Sequence, residues 1–76
     1  SALEQLSYND SRPMLFIHGE EDTFVPYWML DVVYNACASP DKERLSVPGA
    51  AHGGAAGTDP ELYWATVEAF LDKYMD

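Results

Sequence analysis

Between Pro13 and His18 the chain runs Met14-Leu15-Phe16-Ile17 without a polar position, and Gly19 closes the run. A strand exposed on one face alternates apolar with polar residues. A short run that is apolar throughout suits a strand covered on both faces, as in a parallel sheet. A second stretch, Glu43-Arg44-Leu45-Ser46-Val47, does alternate. It predicts a strand buried on one face or lying near a sheet edge, stopped by Pro48-Gly49. Between the two, the chain is polar and acidic from Gly19 to Phe24, and Pro26 then sets φ for a first helical turn. Met29, Leu30, Val33, Ala36 and Cys37 recur at steps of three and four, which predicts a helix over 26–38 with Asp31 and Asn35 on its outer face. Ser39-Pro40-Asp41 ends it, because proline can neither continue a helix nor leave the preceding residue comfortably helical.

A glycine- and alanine-rich loop, Gly49 to Gly57, follows the second strand. Thr58 and Glu61 are spaced as a capping box, and Pro60 is tolerated in a first turn, so a second helix is expected to about residue 75. Tyr63, Val67, Phe70, Leu71 and Tyr74 would line its inner side. Ahead of the first strand, Leu3, Leu6 and Tyr8 suggest a short helical turn and Asn9-Asp10-Ser11 a loop. The fold class expected is therefore α/β, a small parallel βαβα unit in one domain over residues 1–76, with room between the strands for a right-handed crossover.

Such a unit is hard to stabilise alone. A chain of 76 residues buries about 60% of its unfolded surface, and two strands rarely make a self-sufficient sheet. Cys37 is the sole cysteine, which rules out an internal disulfide and favours a reducing compartment such as the cytoplasm. No paired Cys/His spacing suggests a structural metal. The apolar first strand would offer an open edge, so association with a second copy through that edge is expected. A net charge of −9, from 13 acidic and 4 basic residues, repels phosphate backbones and anionic lipid headgroups, and argues against nucleic acid or a membrane surface as partner. No apolar run approaches the roughly 20 residues needed to span a bilayer, and no signal peptide opens the chain.

In parallel α/β units functional groups collect in the loops that follow the strands. The first loop here is His18-Gly19-Glu20-Glu21-Asp22-Thr23-Phe24-Val25-Pro26; the second is Pro48-Gly49-Ala50-Ala51-His52-Gly53-Gly54. Neighbouring parallel strands set those loops side by side, so Asp22 and His52 are expected to meet. A carboxylate on one ring nitrogen fixes the tautomer of a histidine and stabilises the imidazolium formed when the other nitrogen takes a proton. Such a pair is an acid–base device that lacks only a nucleophile.

The segment Pro13 to Pro26, with its HG-x-x-D-x-x-VP core, resembles the seventh strand and acid loop of α/β-hydrolases. Val47-Pro48-Gly49-Ala50-Ala51-His52 resembles the eighth strand and histidine loop of the same superfamily. The order Asp, His, closing amphipathic helix agrees with the superfamily's order of Ser, Asp or Glu, His. The resemblance spans residues 13 to 75, and its closing stretch is most similar to bacterial hydrolases of undefined substrate. It implies that the chain is the C-terminal part of an α/β-hydrolase fold, that Asp22 is the triad acid and His52 the general base, and that the parent is a serine hydrolase acting on a small-molecule ester or related acyl bond without a cofactor. A start at Ser1-Ala2 rather than Met fits a segment of something longer. No G-x-S-x-G nucleophile elbow is present, and Ser1, Ser7, Ser11, Ser39 and Ser46 stand in no strand-turn-helix setting, so the chain by itself is expected to be inert.

Structural roles compete with functional ones at several of these residues. Asp22 alone would pass for a loop cap. His18, at the end of an apolar strand, reads as a satisfied structural histidine, and Glu20 and Glu21 as solvated charges. His18, Glu20, Asp22 and His52 could also be drawn as a divalent metal site, but their spacing follows no recurring metal motif. Cys37 falls on the buried helix stripe as a small core residue. Tyr27, Trp28, Tyr63 and Trp64 read as packing residues, some of them stranded if a neighbouring domain is missing. Gly53, Gly54 and Gly57 lack the lysine of a phosphate loop and would let the chain bend around His52. A different class of protein, a non-catalytic hydrolase-like module for binding or assembly, remains as the alternative, though it gives no chemical reason to keep Asp22 and His52 together.

Overall fold

A computed structural model describes residues 12–75, so the expected turn at Leu3–Tyr8 and the Asn9-Asp10-Ser11 loop lie outside the described residues. The chain runs β1 (Met14–Gly19), α1 (Met29–Ala36), β2 (Lys42–Val47), α2 (Ala55–Thr58) and α3 (Pro60–Tyr74). The two strands are parallel and in register from Met14 opposite Lys42 to Gly19 opposite Val47. The architecture is thus a small mixed α/β unit built on a two-stranded parallel sheet.

Side chains alternate across a strand, and their contacts identify the two faces. Phe16 meets Tyr34 of α1 edge-on at 6.1 Å, and Lys42 and Arg44 lie over the same ring at 4.5 and 5.0 Å. The opposite face takes Leu15, Ile17, Leu45 and Val47, and there Glu43 reaches Lys73 of α3 at 3.4 Å. Helices therefore pack on both faces of the two-stranded sheet. Leu30, Cys37, Val47, Ala50 and Phe70 form the buried core.

The open edges set the shape. The principal extents are 31 × 30 × 14 Å. Helix, sheet and helix stacked at about 10 Å per layer cannot fit within the short dimension, nor can six-residue strands at about 3.3 Å per residue. The thin direction is therefore across the strands, and among the described residues each broad side of the slab is the unpaired edge of one strand. Every residue of β1 before Gly19 is only half-buried for this reason.

Four local expectations are corrected. The helix expected over 26–38 has its α-helical part only at Met29–Ala36. Pro26 and Tyr27 instead accept i+3 bonds from Met29 N–H (2.8 Å) and Leu30 N–H (3.0 Å), a tight entry turn. The cap of the last helix is Asp59, whose Oδ1 accepts the Leu62 N–H at 3.1 Å; Thr58 belongs instead to α2, a short helix within the stretch expected to be loop. Leu71 is exposed rather than on the inner side of α3, and Trp28 and Trp64 are also largely exposed. Among the described residues no helix is long and apolar enough to cross a membrane.

Candidate active site

The parallel register starts the two loops at the same level, and the main chain ties them together. Val47 C=O accepts the Glu20 N–H at 3.0 Å, and Ala50 C=O accepts the Glu21 N–H at 2.9 Å. The approach needs Gly19. A Cβ there would stand 2.7 Å from the Ala50 carbonyl carbon, 2.9 Å from Ala51 O and nearer still to Ala50 O. The bare α-carbon thus allows the acid loop to lie against the histidine loop.

Asp22 follows immediately. Its Oδ1 accepts the N–H groups of Phe24 (2.9 Å) and Val25 (2.8 Å), leaving Oδ2 turned to His52. His52 sits in a tight turn closed by Gly54 N–H donating to Ala51 C=O at 3.0 Å. Gly53, in the third position of that turn, has φ +71°, a value side chains beyond glycine rarely accept. Glycine after His52 is therefore a backbone requirement. The turn delivers His52 Nδ1 to 2.8 Å from Asp22 Oδ2.

The electrostatics are one-sided. The Asp22 side chain is only 6% exposed and that of His52 is 54% exposed. Burial pushes the Asp22 carboxyl up, but the N–H of Val25, the His52 ring and the N–H of Phe24 together hold it below the ordinary carboxylate value. An ionised carboxylate only accepts, so Nδ1 of His52 carries the hydrogen, and in the neutral ring Nε2 presents a lone pair. Nε2 has no hydrogen-bond partner among the described residues. The exposed Phe24 ring stands beside the imidazole, centroid to centroid 5.6 Å.

His18 is satisfied, as its position at the strand end suggested. Its Nε2–H donates to Val25 C=O at 2.7 Å and passes 3.5 Å from Asp22 Oδ2. Tyr27 meets the ring edge-on at 6.0 Å and hydrogen-bonds Ser46 of β2 through its hydroxyl. The involvement of Val25 and Tyr27 was not foreseen. The one available sign was the four-residue spacing of His18 and Asp22. Glu20 and Glu21 are exposed, and among the described residues no cluster of three or more His, Cys, Asp or Glu side chains is placed to hold a metal ion. Cys37 is buried and free. Of the described serines, Ser39 bonds its hydroxyl to Asp41 and Ser46 bonds Tyr27; neither addresses His52. The dyad lies on an open surface with no walled pocket among the described residues.

Comparison with protein-family models, curated proteins and solved structures finds no match to this chain.

Proposed function

We propose that the chain is the C-terminal, histidine-bearing part of an α/β-hydrolase, and more narrowly of a serine hydrolase acting on ester or related acyl bonds. The observation that carries this reading is the 2.8 Å bond from His52 Nδ1–H to a nearly buried, ionised Asp22, on a half-exposed His52 whose Nε2 has no partner among the described residues. In the reaction, Nε2 takes the proton of a serine hydroxyl as its oxygen bonds the acyl carbon, and returns it to the leaving group as the ester bond breaks. Water then repeats the sequence on the acyl-enzyme. Asp22 stays ionised throughout and stabilises the imidazolium.

The serine and the oxyanion donors must be supplied from outside these residues, and without them acyl transfer is not accelerated usefully. The test is to join the chain to an N-terminal part bearing G-x-S-x-G and measure hydrolysis of p-nitrophenyl esters. Loss of about 10⁴-fold or more in kcat is expected for His52→Ala; full activity in that variant sinks the assignment. The assembly-module reading has one observation in its favour, the exposed Trp64 and Leu71 on α3 and Met75 just beyond its end. It predicts a fused protein without esterase activity whether or not His52 is present.

A further inference from the structure

We infer that His18 is a positioning residue: its Nε2–H, by gripping the Val25 carbonyl, holds the acid loop in the one conformation that turns Asp22 toward His52. Val25 is held at both ends of its backbone. Its N–H donates to Asp22 Oδ1 at 2.8 Å and its C=O accepts from His18 Nε2–H at 2.7 Å. Asp22 is thus fixed by a residue that His18 in turn fixes, and the only carboxylate oxygen left for an outside donor is Oδ2. The His18 ring is itself constrained, with its side chain 11% exposed and Tyr27 packed against it in a T-shaped pair. Tyr27 is tied to Ser46 on β2, the strand that leads into the histidine loop. Contacts therefore reach His18 from the acid loop through Val25 and from β2 through Tyr27 and Ser46.

A histidine kept only to fill space would need no ring hydrogen at Nε2. Here that hydrogen faces a carbonyl, which can only accept, and a carboxylate oxygen at 3.5 Å, which cannot donate either. The role assigned is thus a donor at a fixed place, and glutamine, whose amide nitrogen lies at a similar reach, should fill it.

The inference is tested on the chain as it stands by nitrogen-15 NMR of the two rings at pH about 8.5, where free histidine is neutral. Expected are an Nε2–H form for His18 and a dominant Nδ1–H form for His52. His18→Phe should reduce the His52 Nδ1–H form to the minority, as its acceptor loses its fixed place; His18→Gln should keep it dominant. If His18→Phe leaves His52 unchanged in a folded chain, or if His18→Gln behaves like His18→Phe, the inference is overturned. Should His18→Phe fail to fold, the wild-type spectrum decides, since a His18 ring lacking hydrogen at Nε2 overturns it equally. The catalytic meaning of this positioning rests on the function proposed above, but its failure is distinct. A wild-type His52 without the Nδ1–H form, unresponsive to Asp22→Asn, defeats the dyad itself. A paired His52 indifferent to His18 defeats only this inference.

Discussion

Adding a single methyl group at Gly19 is expected to separate the loops that carry Asp22 and His52. The alanine Cβ would lie 2.7 and 2.9 Å from main-chain atoms of Ala50 and Ala51, and a backbone cannot swing aside as a side chain can. Overpacking of this kind costs about 1–3 kcal/mol. If the loops part enough to break the Glu21 N–H to Ala50 C=O bond, about 0.5–1.5 kcal/mol is added. A domain of this size has a total stability of about 4–11 kcal/mol, at 0.05–0.15 kcal/mol per residue. Gly19→Ala should therefore remove a large share, lowering the melting temperature by about 6–36 °C for a loss of about 1.5–4.5 kcal/mol at 4–8 °C per kcal/mol. Gly57→Ala is the control. It makes the same chemical change inside α2, where an added Cβ meets nothing within 4 Å. There alanine should stabilise by about 0.5–1 kcal/mol. Both are read by circular dichroism melting. A Gly19→Ala chain that melts within about 2 °C of the wild type would refute the close-approach argument.

Further outcomes are expected. Asp59→Ala should destabilise the chain by about 1 kcal/mol through loss of the helix cap, while Thr58→Ala should not; equal losses in denaturant titrations would restore the capping-box assignment. The folded pKa of Asp22 is depressed, so the stability it contributes is present above its ordinary value of 3.8 and disappears as pH falls through the lower folded value. Melting temperatures of the wild type and Asp22→Asn should accordingly converge on acidification below that point, and a constant gap would contradict the shift. The chain is also expected to self-associate through the open edge of β1; a monomer in sedimentation runs up to millimolar concentration would disprove this.

The order of strands and helices was legible because each element carries its own period, and the juxtaposition of Asp22 with His52 followed from parallel strands alone. What the sequence hid lies where one residue can serve two roles. Pro26 suits the first turn of a helix, yet here its carbonyl accepts from Met29 at i+3 and opens a tighter turn. Thr58 and Asp59 are both good caps, and only the presence of α2 decides between them. Leu71 follows the helical period, but a sheet of two strands is too narrow to cover the whole apolar arc of α3. The grip of His18 on Val25 joins residues seven apart through a backbone carbonyl, which leaves no mark on residue type.

The tie between the loops is made of main chain on both sides, Glu20 to Val47 and Glu21 to Ala50. Their side chains take no part in it. Substitutions outward of the strands can therefore reshape the surroundings of the dyad without shifting its registration, provided Gly19 and Gly53 remain glycine. Under the function proposed here, the acid and base come as one prefabricated part, complete within the span from His18 to Gly54. What a nucleophile-bearing partner must match is then a single point in space, the Nε2 of His52.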